Sequence, residues 1–323
     1  MVRVELFVPA ELHDSVVNAL CVQPGVVDVN INAGESADGS RRIITATVAR
    51  EALDAVLDRL KERGIAEDGS IYTSPHALVL SARAKKASDD APGTSADSVV
   101  WEELAARTSD ETELNGTYFI YITVATLLAS IAILTDSIVT LVGAMVVGPE
   151  FGPLTAIALG IVARRWDFVR RGAIALLVGF LAAMVITGLL VRLGVLTGLV
   201  RSYPFDIEHP MTDYIFEPGP LSFIVALLAG VVGLLSFSSN KSTALVGAFV
   251  SATTIPAAGY VAVASVFGAW GNAAGSALQL LLNLAGVVLA GAAVMVIRWS
   301  MSRRDRRAIE ALGTETPDTE APT

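Results

Sequence analysis

The chain has 323 residues, 53% of them hydrophobic and 17% charged, with a formal net charge of −9, whereas a soluble globular domain carries about 25% charged residues. Residues 1–115 hold 11 Lys/Arg against 20 Asp/Glu and residues 116–323 hold 12 of each, so the whole acidic excess lies in the first third. A wholly soluble protein, a disordered chain and a strongly basic nucleic-acid binder are excluded, leaving an acidic soluble domain joined to an integral membrane domain.

Val2 to Val8 alternates apolar and polar residues like a strand, and lacks the long apolar core of a secretory signal. Ala10 to Val22 carries Leu12, Val16, Val17 and Leu20 at helical spacing, and Pro24-Gly25 ends it. Cys21, the sole cysteine, is expected as a buried thiol on that helix, and no internal disulfide can form. Val26 to Ile31 and Ile43 to Val48 read as strands, Glu51 to Arg63 as a helix closed by Gly64, and Ser70 to Thr73 as a short strand. The order βαββαβ predicts a ferredoxin-like α+β domain over residues 1–76. The stretch Leu20 to Val29 is similar to the same place in heavy-metal-associated domains, which bind metal through a CxxC after the first strand. Here that loop is Pro9-Ala10-Glu11-Leu12, so no metal and no cofactor are expected. Residues 77–115 read as a linker, polar and mobile over Lys85 to Ser98, followed by an amphipathic helix over Val99 to Asn115.

A membrane span needs about 20 apolar residues. Six segments qualify within a membrane domain of residues 116–299: 116–134, 137–163, 172–197, 220–238, 243–268 and 275–297. Arg164, Arg165, Arg170 and Arg171 crowd one loop, and Arg298 to Arg307 the tail that leads into residues 300–323. The opposite loops are poor in positive charge, so both termini are expected in the cytoplasm of a multi-pass plasma-membrane protein. Sliding the chain by 104 residues lays Leu141-Val-Gly-Ala144 on Leu245-Val-Gly-Ala248 and Trp166 on Trp270. The repeats are then 116–197 and 220–297. A unit of three spans is odd, so its second copy enters the membrane from the other side, an inverted repeat of the kind common in secondary transporters. Each middle span carries breakers: Gly148-Pro149-Glu150-Phe151-Gly152-Pro153 in the first, Thr253-Thr254-Ile255-Pro256 in the second. Both middle helices are therefore expected to be broken.

At these residues the sequence resembles an uncharacterised bacterial membrane family, domain of unknown function 389, also called hydrophobic-domain proteins. The resemblance lies in Ser130 to Ser137, Val142 to Pro149 with Gly152-Pro153, Lys241 to Gly247, Ile255-Pro256 and Leu282 to Leu284. It implies a fold but no activity. In that family an apolar pair usually follows the first proline and span five often has a double proline; Glu150-Phe151 and the single Pro256 depart from that pattern.

Glu150 lies mid-span, where a carboxylate costs at least about 2.5–3.5 kcal/mol unless paired, hydrated or protonated. It is the candidate coupling site for a proton or cation. Gln279 and Asn283, one turn apart in span six, are read either as cavity lining or as interhelical hydrogen-bonding glue. Asn240 and Lys241 stand at the inner end of span four, with Asp136 as their counterpart outside. The expected solute- or ion-binding set is thus Glu150, Pro149, Pro153, Thr253, Thr254, Pro256, Gln279, Asn283, Asn240, Lys241 and Asp136, with no metal ligand. No catalytic motif stands out, so an enzyme is not expected. The leading expectation is a transporter or channel-like permease for a small solute or ion, lipid-embedded and homo-oligomeric, whose soluble domain regulates or assembles it. The rival is a membrane-anchored sensor whose N-terminal domain binds a ligand.

Overall fold

Val2, Val4, Leu6 and Val8 point to one side of the first strand, and all four are buried. In the computed structural model, which describes residues 1–35, 41–76, 79, 81–90, 101–200, 219–238 and 243–314, this strand, β1 (Val2–Pro9), is central in a four-stranded sheet. A single 3-10 turn, Ala10–Leu12, leads into α1 (His13–Val22). Then come β2 (Val26–Glu35), β3 (Arg41–Val48), a second 3-10 turn, and α2 (Leu53–Glu62). Next are the four-residue α3 (Ile65–Asp68) and β4 (Ser70–Pro75). All strand pairs are antiparallel, in the order β2-β3-β1-β4. One face packs on the helices through Leu6, Ile44, Ala46, Leu20, Leu53, Val56 and Leu60. Gly64 turns the chain between α2 and α3 at φ +76°, a left-handed conformation that favours glycine.

Two expectations for this region are corrected. Cys21 is exposed, because α1 turns Asp14, Asn18 and Cys21 to one polar stripe while Val16, Ala19 and Leu20 face the sheet. Part of the expected linker is helical: α4 (Ala82–Asp90) buries Ala84, and Ser88 Oγ donates to Glu51 Oε1 at 2.9 Å. The rest of that linker, residues 91–100, lies outside the described residues.

By contacts the chain forms two units, Met1–Trp101 with Arg298–Thr323, and Glu102–Ile297. The second contains most of α5 (Trp101–Glu111), whose Leu104 and Thr108 are buried one turn apart. After it come α6 (Gly116–Leu134), α7 (Ile138–Val147), α8 (Phe151–Val162) and α9 (Trp166–Leu196). Then follow α10 (Pro220–Ser238), α11 (Thr243–Val266) and α12 (Trp270–Thr314). Among the described residues four of them, α6, α9, α10 and the apolar part of α12, are long and apolar enough to cross a membrane. The pair α7–α8, bent by 52°, makes a fifth if it counts as one span. The helix α11 is 24 residues long, and its stretch Thr254–Val266 is apolar. Their outer faces are apolar: Leu177, Leu181 and Val185 on α9 are each more than half exposed, as are Leu281 and Leu289 on α12. In water such a surface would aggregate, and in a bilayer it meets hydrocarbon. The chain is therefore a multi-pass membrane protein.

The two middle helices behave differently. Between α7 and α8, Gly148 is extended (φ −60°, ψ 127°), as the residue before a proline is pushed to be. Pro149 then removes an amide donor, and the axis bends. Pro153 causes no break: it sits in the first turn of α8, where backbone N–H groups have no intrahelical partner anyway. The expected second break does not occur, for α11 runs as one helix with Pro256 inside it. A lone proline without a glycine before it leaves the carbonyl of Ala252 without its helical donor but does not force the preceding residue out of the helix.

The turn that joins α8 to α9 recurs between α11 and α12. Arg164 N–H donates to the Ile161 carbonyl at 3.4 Å and Arg165 N–H to Gly160 at 2.9 Å. Gly268 N–H donates to Ser265 at 3.3 Å and Ala269 N–H to Ala264 at 2.9 Å. Arg164 (φ 55°) and Gly268 (φ 79°) are both left-handed, so each helix ends in the same Schellman arrangement. Trp166 and Trp270 each open the next helix. The expected basic loop over 164–171 is consequently short, with Arg170 and Arg171 already within α9.

Candidate functional site

Glu150 occupies the N-cap position of α8, yet its side chain makes no cap hydrogen bond. The bend turns it inward, where it is fully buried. There Thr254 Oγ1, on α11 and equally buried, donates to Glu150 Oε1 at 2.6 Å. That length is at the short end of the range for O–H···O hydrogen bonds. The two residues are 104 apart in sequence. The surroundings are close-packed. Phe151 and Phe237 meet edge to face at 5.5 Å, and the Tyr118 hydroxyl lies within electrostatic reach of Glu150. Ser130 Oγ donates to the Gly259 carbonyl at 3.1 Å, tying α6 to α11.

Glycines allow the approach. A Cβ at Gly172 on α9 would lie 2.5 Å from the Pro153 carbonyl oxygen. One at Gly152 would lie 2.5 Å from Glu111 Cβ and 2.8 Å from Glu111 Oε2. Glu111, from α5, thus brings a second carboxyl group to the first turn of α8, where the positive end of the helix dipole favours it. The sequence reading missed Glu111, since it sits in an acidic, solvent-facing run.

Gln279 and Asn283 are buried on α12, and Ser222 of α10 joins them: Gln279 Nε2 donates to Ser222 Oγ at 3.0 Å, and Ser222 Oγ to Asn283 Oδ1 at 3.4 Å. A cleft of about 340 Å³ opens beside them. Between α6 and α9, Tyr118 Oη donates to the Ala175 carbonyl at 3.0 Å, and its ring lies 2.7 Å from where a Gly179 Cβ would stand. Tyr118, Ala175 and Gly179 lie 104 residues before Ser222, Gln279 and Asn283. Ser222 and Tyr118 were not singled out from sequence, although the same offset of 104 pairs them.

The other expected residues disperse. Asp136 is the left-handed residue (φ 45°) that terminates α6, with its N–H on the Ile133 carbonyl at 3.2 Å. It is a turn residue, distinct from the Glu150–Thr254 pair. Pro149 makes the bend, Pro153 lies in the first turn of α8, and Pro256 lies two residues after Thr254 within α11. Thr253 is on α11, with its side chain outside the described residues, and Asn240 and Lys241 lie outside them altogether. Among the described residues no three of His, Cys, Asp and Glu gather as metal ligands.

On the N-terminal unit, a groove of about 610 Å³ lies on the sheet, lined by Arg3, Val29, Asn30, Ile31, Thr45, Thr47 and His76. Arg3 alternates with the buried Val2 and Val4, so this is the face turned away from α1 and α2.

No solved structure matches the chain. A stretch of 158 residues is 26% identical to an uncharacterized protein of Methanocaldococcus jannaschii, covering 49% of this chain and 47% of that one. The chain thus matches about half the length of that relative. Residues 145–289, which hold Glu150, Thr254, Gln279 and Asn283, match the family model described as domain of unknown function DUF389, the family that the sequence motifs resemble.

Proposed function

We propose that the protein is a proton- or cation-coupled transporter of a small solute, built from two inverted three-span halves, with Glu150 as the coupling group. The observation that carries the proposal is the pair Glu150–Thr254. A carboxyl group is held at a helix break, away from water, by the hydroxyl of the residue 104 positions on. Residues related by a two-fold axis meet each other where they lie next to that axis. The shared offset also underlies the paired turns after α8 and α11, and the paired contacts of Tyr118 and Ser222. In this reading α6, α7–α8 and α9 form one half, and α10, α11 and α12 the other. That makes six spans, with cytoplasmic termini by the arginine distribution. Unwound backbone between repeats is where transporters bind ions and solutes. The N-terminal unit, read as ferredoxin-like from its element order and sheet, serves regulation or assembly, and no catalytic chemistry is assigned.

A second reading is favoured by the groove of Arg3, Asn30, Thr45, Thr47 and His76: a sensor, in which the helices anchor a ligand-binding domain. Purified protein in liposomes carrying an internal pH dye separates the two. The transporter reading expects proton movement when one solute of a panel is added across the bilayer, retained after deletion of residues 1–97. Absence of flux under every gradient, with metabolite binding by the N-terminal unit, would favour the sensor.

A further inference from the structure

The two matching turns share a backbone and differ in their side chains. Arg164, Arg165 and Trp166 stand where Gly268, Ala269 and Trp270 stand in the other turn, and Arg170 and Arg171 where Ala274 and Gly275 stand. Gly268 holds the left-handed conformation freely, whereas a side chain at Arg164 makes the same conformation costly. An arginine is thus kept where the backbone asks for glycine. Arg164, Arg170 and Arg171 are exposed, and among the described residues none of them is in an ion pair. Arg165 is held against the protein, its guanidinium carbon 4.5 Å from the centroid of the buried Phe168 ring.

The sequence of α9 sets the depth of this cluster. Between Arg171 and Arg192 lie 20 uncharged residues, 172–191. They make about 30 Å of helix, the thickness of the hydrocarbon core. Arg170 and Arg171 therefore fall at its edge, in the layer of lipid headgroups. Trp166, Arg170, Ile174, Leu177, Leu181 and Val185 follow one another at steps of three or four residues down one exposed face. A lipid lying along that face sets its chain on the leucines and its phosphate beside the arginines. Tryptophan at the same level suits the border between chain and headgroup.

We propose that this end of α9 binds an anionic phospholipid, with its chain on Ile174, Leu177 and Leu181 and its phosphate at Arg170 and Arg171. Arg164 and Trp166 meet the rest of the headgroup. The forked guanidinium donors match phosphate oxygens. Asp167 is the one acidic residue among the four arginines of 164–171, so the segment keeps a positive excess that favours a net negative headgroup over a zwitterionic one. This site stands whether or not the protein carries a solute.

The test is fluorescence quenching of the full-length protein in phosphatidylcholine nanodiscs. Of the four tryptophans, Trp101, Trp270 and Trp299 are replaced by phenylalanine, which leaves Trp166 as the sole indole. Acyl-brominated phosphatidylglycerol or acyl-brominated phosphatidylcholine then replaces equal fractions of the host lipid. The anionic lipid is expected to associate about fivefold more strongly than the zwitterionic one, the worth of one arginine at an anionic headgroup. The added triple change Arg164→Gln, Arg170→Gln, Arg171→Gln should bring that ratio to about one. So should moving the reporter to the arginine-free turn, with Trp270 kept and Trp101, Trp166 and Trp299 replaced. Equal quenching by the two lipids at Trp166, the same preference at Trp270, or a preference that survives the triple change would overturn the proposal. Inorganic phosphate should lower the ratio no more than sodium chloride of equal ionic strength. A selective loss with phosphate would make the cluster a seat for the free anion and overturn the lipid assignment. If the triple variant does not enter nanodiscs, the comparison of Trp166 with Trp270 decides.

Discussion

At Glu150 a carboxyl group, a proline-driven bend and a threonine from a distant helix converge, and each has a separable energetic role. Replacing Glu150 with alanine removes the bond that the buried Thr254 hydroxyl donates at 2.6 Å, at a cost of about 1–3 kcal/mol. Glu150→Gln keeps an acceptor of the same shape, so its melting temperature should stay near that of the wild type. Thermal melts of the two variants in detergent check this difference. Arg164 offers a converse prediction. It holds a left-handed conformation that Gly268 holds in the matching turn, and a side chain there costs about 1 kcal/mol. Arg164→Gly should therefore raise the melting temperature, and a fall would show that the guanidinium makes a contact worth more than the strain. The candidate site was partly legible. A carboxylate in an apolar run advertises itself, and so does its offset partner. Tyr118 reads as an ordinary interfacial aromatic and Ser222 as a small packing residue, because their meaning lies in a comparison between halves.

Among the elements, those set by strict periodicity were the most legible. Alternation located β1 and β3, and the 3.6-residue stripe located α1 and α2, with ends that shift by a few residues where a 3-10 turn precedes the helix. The helix α4 was hidden because its sequence, ARAKKASDD, buries only Ala84 among its described side chains and has no apolar stripe to mark it. Proline was read too uniformly. The three prolines of α7–α8 and α11 have three outcomes, a bend at Pro149, a harmless place in the first turn at Pro153 and continuity through Pro256, decided by the preceding residue and the position in the turn. Packing between elements gives a further prediction. The Cβ of Gly172→Ala would stand 2.5 Å from a backbone oxygen of α8, which no side-chain rotation relieves. The variant should lose about 1–3 kcal/mol, read as a lower melting temperature. In the soluble unit, Leu6→Ala removes a fully buried side chain from the centre of the sheet and should cost about 2–5 kcal/mol.

For the whole molecule, the proposed function joins two inverted halves at a buried carboxyl group in a membrane. The proposed orientation, with both termini in the cytoplasm, rests on the arginines and is checked by cysteine labelling in a Cys21→Ser background. A thiol placed at Gly271 should react from outside, and one at Asp167 from inside. Small-residue contacts such as Gly230 on the Val287 carbonyl are used within the chain, so the expected homo-oligomer needs its own surface, and a mass measurement in detergent counts its copies. The central claim, that Glu150 couples proton or cation movement to solute movement, is met most directly by flux against pH in liposomes for wild type and Glu150→Gln. The account predicts a wild-type flux that changes with pH and a folded Glu150→Gln protein whose flux is flat across the same range. An unchanged pH profile in Glu150→Gln would contradict it and leave Glu150 as a structural hydrogen-bond acceptor.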